Sequence, residues 1–187
     1  MEHPCSVTKK RVCISTDYSK DLEVMIMEVV FARIDERLMH GIVLTQYLPS
    51  SNAQRIMVID DKVANNQIKK DAMLMAKPAG YAASIIPLEK ALTNIQAGKY
   101  EGQRLFLLTK SPITMEKLCE VGVKIPELII GCTEMLNQGI KLSERAFITE
   151  EELEACKKMS NNGTKIYVQF SITTPKVDIW KAIQNNN

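Results

Sequence analysis

The sequence lacks the features of membrane and secreted proteins. Its apolar runs, such as VMIM and LIIGC, fall far short of the about 20 residues needed to cross a bilayer. The stretch VCISTDYSKD interrupts any apolar region near the N-terminus, so the layout of a signal peptide is missing. The five cysteines are odd in number and contain no Cys-x-x-Cys pair, which argues against a disulfide framework and a zinc site. We therefore expect a cytoplasmic protein with reduced cysteines and no membrane span.

The usual signals of nucleic-acid, nucleotide and metal binding are also missing. The net charge is +2 at pH 7, and lysines and arginines are scattered among acids without forming a basic block. Neither a G-x-x-x-x-G-K-[ST] loop nor a G-x-G-x-x-G fingerprint is present. The only histidines are His3 and His40, which excludes most metal sites and Ser-His-Asp triads. We therefore expect no cofactor, no metal and no nucleic-acid partner.

What the chain does contain is typical of one globular domain. Its 187 residues are 45% hydrophobic and 25% charged, and only 5% are aromatic, which predicts a mainly aliphatic core. Short β-branched runs alternate with longer helical patterns. The predicted strands lie near residues 29–35, 55–59, 81–86, 104–109, 127–130 and 164–170, and the predicted helices near 42–48, 62–75, 88–97, 115–120, 150–159 and 175–183. This alternation predicts βαβ units around a largely parallel sheet.

Local capping signals support several of these helices. Ser111 followed by Pro112 is typical of a helix start, and Gly122 can take the left-handed conformation that ends the helix. Residues 149–152 fit a capping box, and Gly163 is placed to end the helix that follows. The first 28 residues show no sustained periodicity. We therefore interpret residues 1–28 as a poorly ordered extension, without which a start at Met27 would still yield the domain.

The loop after the first predicted strand contains the strongest candidate for chemistry. In an open parallel sheet, ligands bind at the carboxyl ends of the strands. There the sequence reads RIDERLMHG and includes His40, the only plausible imidazole nucleophile. Arg37 lies three residues earlier and can stabilise phosphoryl oxygens, while Gly41 allows a close approach beside the first amides of the next helix. Because no nucleotide motif is present, a phosphoryl group would have to come from another protein.

Residue types alone leave other interpretations open. Without further information, a histidine before a glycine in such a loop is more often a surface or structural residue, and this interpretation of His40 stays open. The charged residues of the same segment are likewise consistent with an exposed ion-pair cluster of small energetic value: Arg33, Asp35, Glu36 and Arg37. The acidic pair Asp60 and Asp61 ends the second predicted strand. This pair is what a magnesium site needs, although Asp61 is more simply explained as a helix N-cap.

The segment RIDERLMHG closely resembles the RIDxRLxHG signature of the mannose/fructose/sorbose-type enzyme IIB components of the bacterial phosphotransferase system (PTS). The resemblance continues through RIMVIDDKVANN, AGKYEGQRLFLLTKSP and LEACKKMSNNGTKIYVQ. It implies a three-layer α/β/α fold with a central, mostly parallel sheet, and we assign residues 29–187 to the IIB domain.

The resemblance also implies an activity. His40 matches the histidine that accepts a phosphoryl group from a IIA partner and passes it to a sugar bound by the membrane components IIC and IID. Arg37 matches the arginine of the motif, and Asp35 matches its aspartate, whose expected role is to hold the loop. Ser111, after the fourth strand, is a possible phosphate contact. The implied protein is thus a protein-N(π)-phosphohistidine–sugar phosphotransferase component.

Two departures from the family pattern bear on this assignment. Ile42 stands where the family usually has glutamine, and Cys132 replaces part of a more common double-glycine turn. Two alternatives therefore stay open. One is a receiver-like signalling module phosphorylated on Asp60 or Asp61 with magnesium, and the other is a degenerate IIB protein that docks but transfers poorly.

Overall fold

The computed structural model describes residues 27–135 and 139–186 of the chain. The predicted extension, residues 1–28, lies outside that part except for its last two residues. The first strand begins at Glu28, one residue before the predicted boundary of the domain.

Seven strands form the central sheet, and two more form a separate hairpin. In chain order the strands are β1 (Glu28–Asp35), β2 (Arg55–Ile59), β3 (Ala82–Ile86), β4 (Arg104–Thr109), β5 (Glu127–Cys132), β6 (Ile140–Ser143), β7 (Ala146–Ile148), β8 (Lys165–Val168) and β9 (Val177–Asp178). The sheet order is β3-β2-β4-β1-β5-β8-β9, and β6 pairs with β7 alone. All pairs in the sheet are parallel except β8 with β9.

Helices cover both faces of this sheet. They are a π-helical turn (Val43–Tyr47), α1 (Asp61–Ala64), α2 (Gln67–Ala76), α3 (Leu88–Gln96), α4 (Pro112–Glu120), α5 (Glu150–Asn161) and α6 (Ile179–Asn186). Alternate residues of each strand point to opposite faces, and the buried apolar residues accordingly form two clusters. One contains Met57, Leu105 and Leu107 with residues of α3 to α6. The other contains Ile56, Val58 and Phe106 with the π-helical turn. The three-layer α/β/α prediction is confirmed.

All six predicted strands are present, with bounds shifted by a few residues. The structure adds the β6–β7 hairpin and the two-residue β9, which the sequence did not predict. The capping predictions are also confirmed. Ser111 caps α4 with Pro112 in its first turn, the capping box stands at the start of α5, and both Gly122 and Gly163 have positive φ.

Three helix predictions are wrong in detail. The helix predicted over 175–183 begins only at Ile179, because Val177 and Asp178 pair with β8 as strand β9. The predicted helix 62–75 is divided into α1 and α2, because Asn66 caps a new helix by accepting a hydrogen bond from the N–H of Lys69 at 3.0 Å. The cap of α1 is Asp60 and not Asp61, since Asp60 accepts from the N–H of Val63 at 2.7 Å. The helix predicted over 42–48 is a π-helical turn, closed by the Leu48 N–H donating to the carbonyl of Val43.

Candidate functional site

The histidine loop lies at the carboxyl edge of the sheet, between two neighbouring strands. At the end of β1, Ile34 is paired with Thr109 of β4, and Asp35 with Cys132 of β5. The loop Glu36–Met39 therefore leaves the middle of the sheet, which is the place where ligands bind in parallel α/β folds.

A buried ion cluster supports this loop. Asp35 is fully buried and accepts hydrogen bonds from Nε and Nη2 of Arg33, at 3.2 and 3.0 Å. The same carboxylate accepts from Nε and Nη2 of Arg37, at 3.0 and 3.2 Å, and from the Arg37 backbone N–H. The suggestion of an exposed ion-pair cluster is therefore wrong for Arg33 and Asp35, which are both 0% exposed. A buried, hydrogen-bonded pair resists disruption far more than an exposed one.

The guanidinium of Arg33 also joins the loop to the far end of the chain. It donates to the carbonyl oxygens of Gln169 and Phe170, at 3.1 and 2.9 Å, and its Cζ lies 4.6 Å from the ring centroid of Tyr47. Gly131 makes room for it, because a Cβ at that position would lie 1.9 Å from Nη2 of Arg33. These supporting residues are distant in sequence, and no local pattern indicated them.

His40 stands immediately before the helical segment that begins at Gly41, and is half-buried. Its backbone carbonyl accepts from the N–H of Leu44 at 2.9 Å, and its Nδ1 accepts from the N–H of Ile42 at 3.3 Å. With Nδ1 as the acceptor, the neutral ring has its proton on Nε2. Leu38, two residues earlier, is fully buried at φ +53°, a conformation that L residues rarely adopt. The backbone before His40 is thus held in a sharp turn.

Asp35 fixes the position of the Arg37 side chain and leaves one edge of its guanidinium group free. Its side chain is 27% exposed, and its Cζ lies 5.3 Å from the ring centroid of Phe170. The hydrogen bonds that Arg37 donates to the Asp35 carboxylate raise the pKa of Arg37 above its ordinary value, so the guanidinium stays charged. Within the described residues its Nη1 makes no hydrogen bond, and an anion at the surface can therefore take this donor.

Gly41 and Ile42 follow His40 on the helix. Gly41 is exposed and does not have a positive φ, and a Cβ added to it would have no neighbouring atom within 4 Å. The fold itself therefore does not require glycine there. Ile42 is partly buried against the cluster that contains the π-helical turn. The departure at Ile42 thus adds packing on that face of the sheet.

Cys132 contacts the histidine loop directly. Its carbonyl accepts from the N–H of Glu36 at 2.8 Å, and its Sγ lies 3.5 Å from a carboxylate oxygen of Glu36. Burial raises the pKa of the Cys132 thiol, which keeps it protonated near neutral pH. Burial also raises the pKa of Cys156 to about 12. The cysteines within the described ranges, Cys119, Cys132 and Cys156, are all free.

The remaining predicted residues lie on neighbouring loops. The Ser111 hydroxyl donates to Glu152 at 2.7 Å and accepts from the N–H of Ile113 at 3.3 Å. This gives Ser111 a role in helix capping, and its contact with phosphate stays a prediction.

The acidic pair after β2 is divided between two partners. Asp60 caps α1 and lies 3.9 Å from Nζ of Lys110, whereas Asp61 accepts from the N–H of Leu88. No cluster of three potential metal ligands occurs among residues 27–135 and 139–186. None of the helices in these ranges has the length and apolar character needed to span a bilayer.

Comparisons with known proteins converge on one family. The family model described as "PTS system sorbose subfamily IIB component" matches residues 29–187. The chain is 32% identical over 129 residues to the mannose-specific EIIAB component of Escherichia coli (strain K12), covering 69% of this chain and 40% of that protein's length. It is 30% identical over 129 residues to the fructose-specific EIIB component of Bacillus subtilis (strain 168), covering 69% and 79%. The crystal structure of the IIBSor domain of the sorbose permease from Klebsiella pneumoniae matches with a TM-score of 0.79 at 27% identity, over 86% of this chain and 99% of that one.

Proposed function

Since the chain belongs to the sorbose subfamily of IIB components of the PTS, we propose that it carries a phosphoryl group on His40. The observation that carries this proposal is the placement of the His40 ring. Its Nδ1 faces the N–H of Ile42 at the start of a helix, and Arg37 is held three residues away by a buried carboxylate. A helix N-terminus and a guanidinium both favour the negative charge of a phosphoryl group.

The proposed reaction is an exchange of a phosphoryl group between two imidazoles. The hydrogen bond from the Ile42 N–H to Nδ1 of His40 opens, and the freed lone pair forms a new P–N bond, while the P–N bond of the donor histidine breaks and returns its electron pair to the donor ring. Each ring keeps the proton on its other nitrogen, so no net proton is released. Because donor and acceptor are chemically alike, the protein has to supply position and charge stabilisation more than a strong base.

Each neighbouring residue has a proposed role in this step. Arg37 binds phosphoryl oxygens through the edge that Asp35 leaves free, and Asp35 positions Arg37. Gly41 keeps the approach to His40 open, because a side chain there would extend into the space in front of the loop. Ser111 is proposed only as a secondary contact, reached after its hydrogen bond to Glu152 opens.

The proposed partners follow from the family. The donor is the phosphohistidine of a IIA protein, and the acceptor is a sugar bound by the membrane components IIC and IID, which places this chain on the cytoplasmic side. The mannose-specific relative is named as an EIIAB component, and this chain spans 40% of its length.

Phosphorylation from a labelled IIA partner tests the proposal. The wild-type chain should take up one acid-labile phosphoryl group, and His40→Ala should take up none. His3→Ala is the matched control, because His3 is the only other histidine of the chain. Label on His40→Ala would contradict the proposal. Hydroxylamine-sensitive label that disappears in Asp60→Asn would instead identify an aspartyl phosphate, and binding of IIA without label would identify a docking-only protein.

A further inference from the structure

We propose that Arg145 is a second arginine that binds the phosphoryl group during transfer, and that it acts beside the same aromatic ring, Phe170, as Arg37. The proposal rests on the function proposed for His40. It concerns the β6–β7 hairpin, which neither the sequence motif nor the histidine loop includes. The hairpin places Arg145 in its turn, between Ser143 and Ala146.

Hydrogen bonds fix this hairpin to the carboxyl edge of the sheet. The carbonyl of Arg145 accepts from the N–H of Thr133 at 3.0 Å. The Thr133 hydroxyl donates to the carbonyl of Phe147 at 2.7 Å and accepts from its N–H at 2.6 Å. Thr133 directly follows Cys132, which pairs with Asp35 in the sheet. The position of Arg145 is therefore tied to the strand that ends beside the histidine loop.

A shared aromatic ring brings the two arginines together. The Cζ of Arg145 lies 4.6 Å from the ring centroid of Phe170, and the Cζ of Arg37 lies 5.3 Å from the same centroid. The two guanidinium groups are therefore separated by at most about 10 Å, which is the screening length at about 0.1 M salt. An anion that contacts either guanidinium group therefore lies within reach of the charge of the other.

The charge of Arg145 is available to such an anion. Among the described residues, the Arg145 side chain makes no ion pair with a carboxylate, and none of its five N–H donors is in a hydrogen bond. Its neighbour Glu144 pairs with Lys141 instead. Glu36 faces Cys132, and Asp35 is already shared by two arginines. Arg145 is also exposed.

A guanidinium that is unpaired among the described residues, such as that of Arg145, is suited to bind a phosphoryl group while it is being transferred. The transferred group spreads negative charge over three equatorial oxygens, while donor and acceptor nitrogens occupy the two axial positions. Arg37 reaches these oxygens from the histidine loop, and Arg145 reaches them from the hairpin. The planar fork of each arginine matches two oxygens at a time, which a lysine cannot do.

The test is the kinetics of phosphoryl transfer from a phosphorylated IIA protein to the full chain. Arg145→Gln should lower the rate constant at saturating IIA by about 10- to 100-fold. The concentration of IIA that gives half the maximal rate should change less than about 3-fold, since the contact forms mainly in the transition state. Arg145→Lys should recover only part of the rate. The matched control is Arg55→Ala, because Arg55 packs on Tyr100, 5.6 Å from its ring centroid, at the opposite edge of the sheet.

The outcomes separate this inference from the function proposed for His40. If wild type accepts the phosphoryl group but Arg145→Gln is equally fast, the role of Arg145 is refuted and that of His40 stands. If Arg145→Gln only weakens half-saturation by IIA, Arg145 serves docking and the inference is also wrong. If wild type takes no label, the proposed function itself fails. Thermal unfolding of each variant confirms that the folded fraction is equal.

Discussion

Replacing Gly131 by alanine should displace the guanidinium of Arg33 and loosen the support of the histidine loop. The added Cβ would lie 1.9 Å from Nη2, 2.2 Å from Cζ and 2.7 Å from Nε of Arg33. Gly131 lies inside β5 and does not have a positive φ, so alanine is compatible with its backbone. Any cost of the substitution therefore comes from Arg33 and not from the strand.

The structure sets the size of this effect. The guanidinium makes two hydrogen bonds to Asp35 and one each to the carbonyls of Gln169 and Phe170. Breaking a buried ion pair on one side costs about 3–5 kcal/mol. The melting temperature of a domain of this size should then fall by roughly 6–20 °C. The cost of about 3–5 kcal/mol is a large part of a typical unfolding free energy, which is about 5–15 kcal/mol.

A double-mutant cycle with Arg33→Ala measures the effect. Urea unfolding can be followed by the fluorescence of Trp180, the only tryptophan, which packs against the core. In the Arg33→Ala background, Gly131→Ala should cost less than about 1 kcal/mol, because the guanidinium it meets is gone. If Gly131→Ala alone does not fold, the double variant should still be as stable as Arg33→Ala. An equal cost of Gly131→Ala in both backgrounds would refute the reasoning.

Three further predictions concern other parts of the site and the core. Arg37→Lys should slow phosphoryl transfer from IIA by about 10- to 100-fold, because lysine keeps the charge but loses the planar fork; equal rates would contradict the role of Arg37. Gly41→Ala should raise the free energy of unfolding in urea by about 0.5–1 kcal/mol, because the added Cβ enters open space at the start of a helix. The same variant should accept the phosphoryl group from IIA more slowly than wild type. Cys156 has a pKa raised from 9.0 to about 12, so its burial contributes stability that is complete below about pH 9 and is lost as the pH rises towards 12. The unfolding free energy of wild type should therefore fall faster over that interval than that of Cys156→Val, by at most about 1.4 kcal/mol per pH unit.

The sequence predicted the strands well because buried parallel strands are near-continuous apolar runs. It missed the β6–β7 hairpin, whose strands have four and three residues and whose turn, Glu144–Arg145, has no hairpin signature. The split between α1 and α2 was also missed, because Asn66 acts through a local hydrogen bond that competes with helix continuation. Short elements and capped breaks depend on single contacts, which periodicity does not report.

The residues of the candidate site likewise fall into two groups: those that a local motif predicts and those that only the folded sheet brings together. His40, Arg37 and Asp35 lie within six residues of one another, so one motif contains them all. Gly131 and Phe170 reach the site only through the sheet order, which places β5 beside β1 and β8 beside β5. Long-range packing of this kind leaves no local signal in a single sequence. Arg33 illustrates the difference, since its letter is in the motif but its burial depends on residues far along the chain.

The hydrogen bonds from Arg33 to Gln169 and Phe170 also determine when, during synthesis of the chain, the histidine loop can be completed. They join residues 136 and 137 positions apart. A ribosome that adds about 5–20 residues per second needs roughly 7–27 seconds to make the intervening chain. During that interval the histidine loop has already been synthesised, but the carbonyls that seat Arg33 do not yet exist. The nascent chain therefore presents a finished loop only when almost the whole domain has been made, and the first motif to be translated is among the last to be completed.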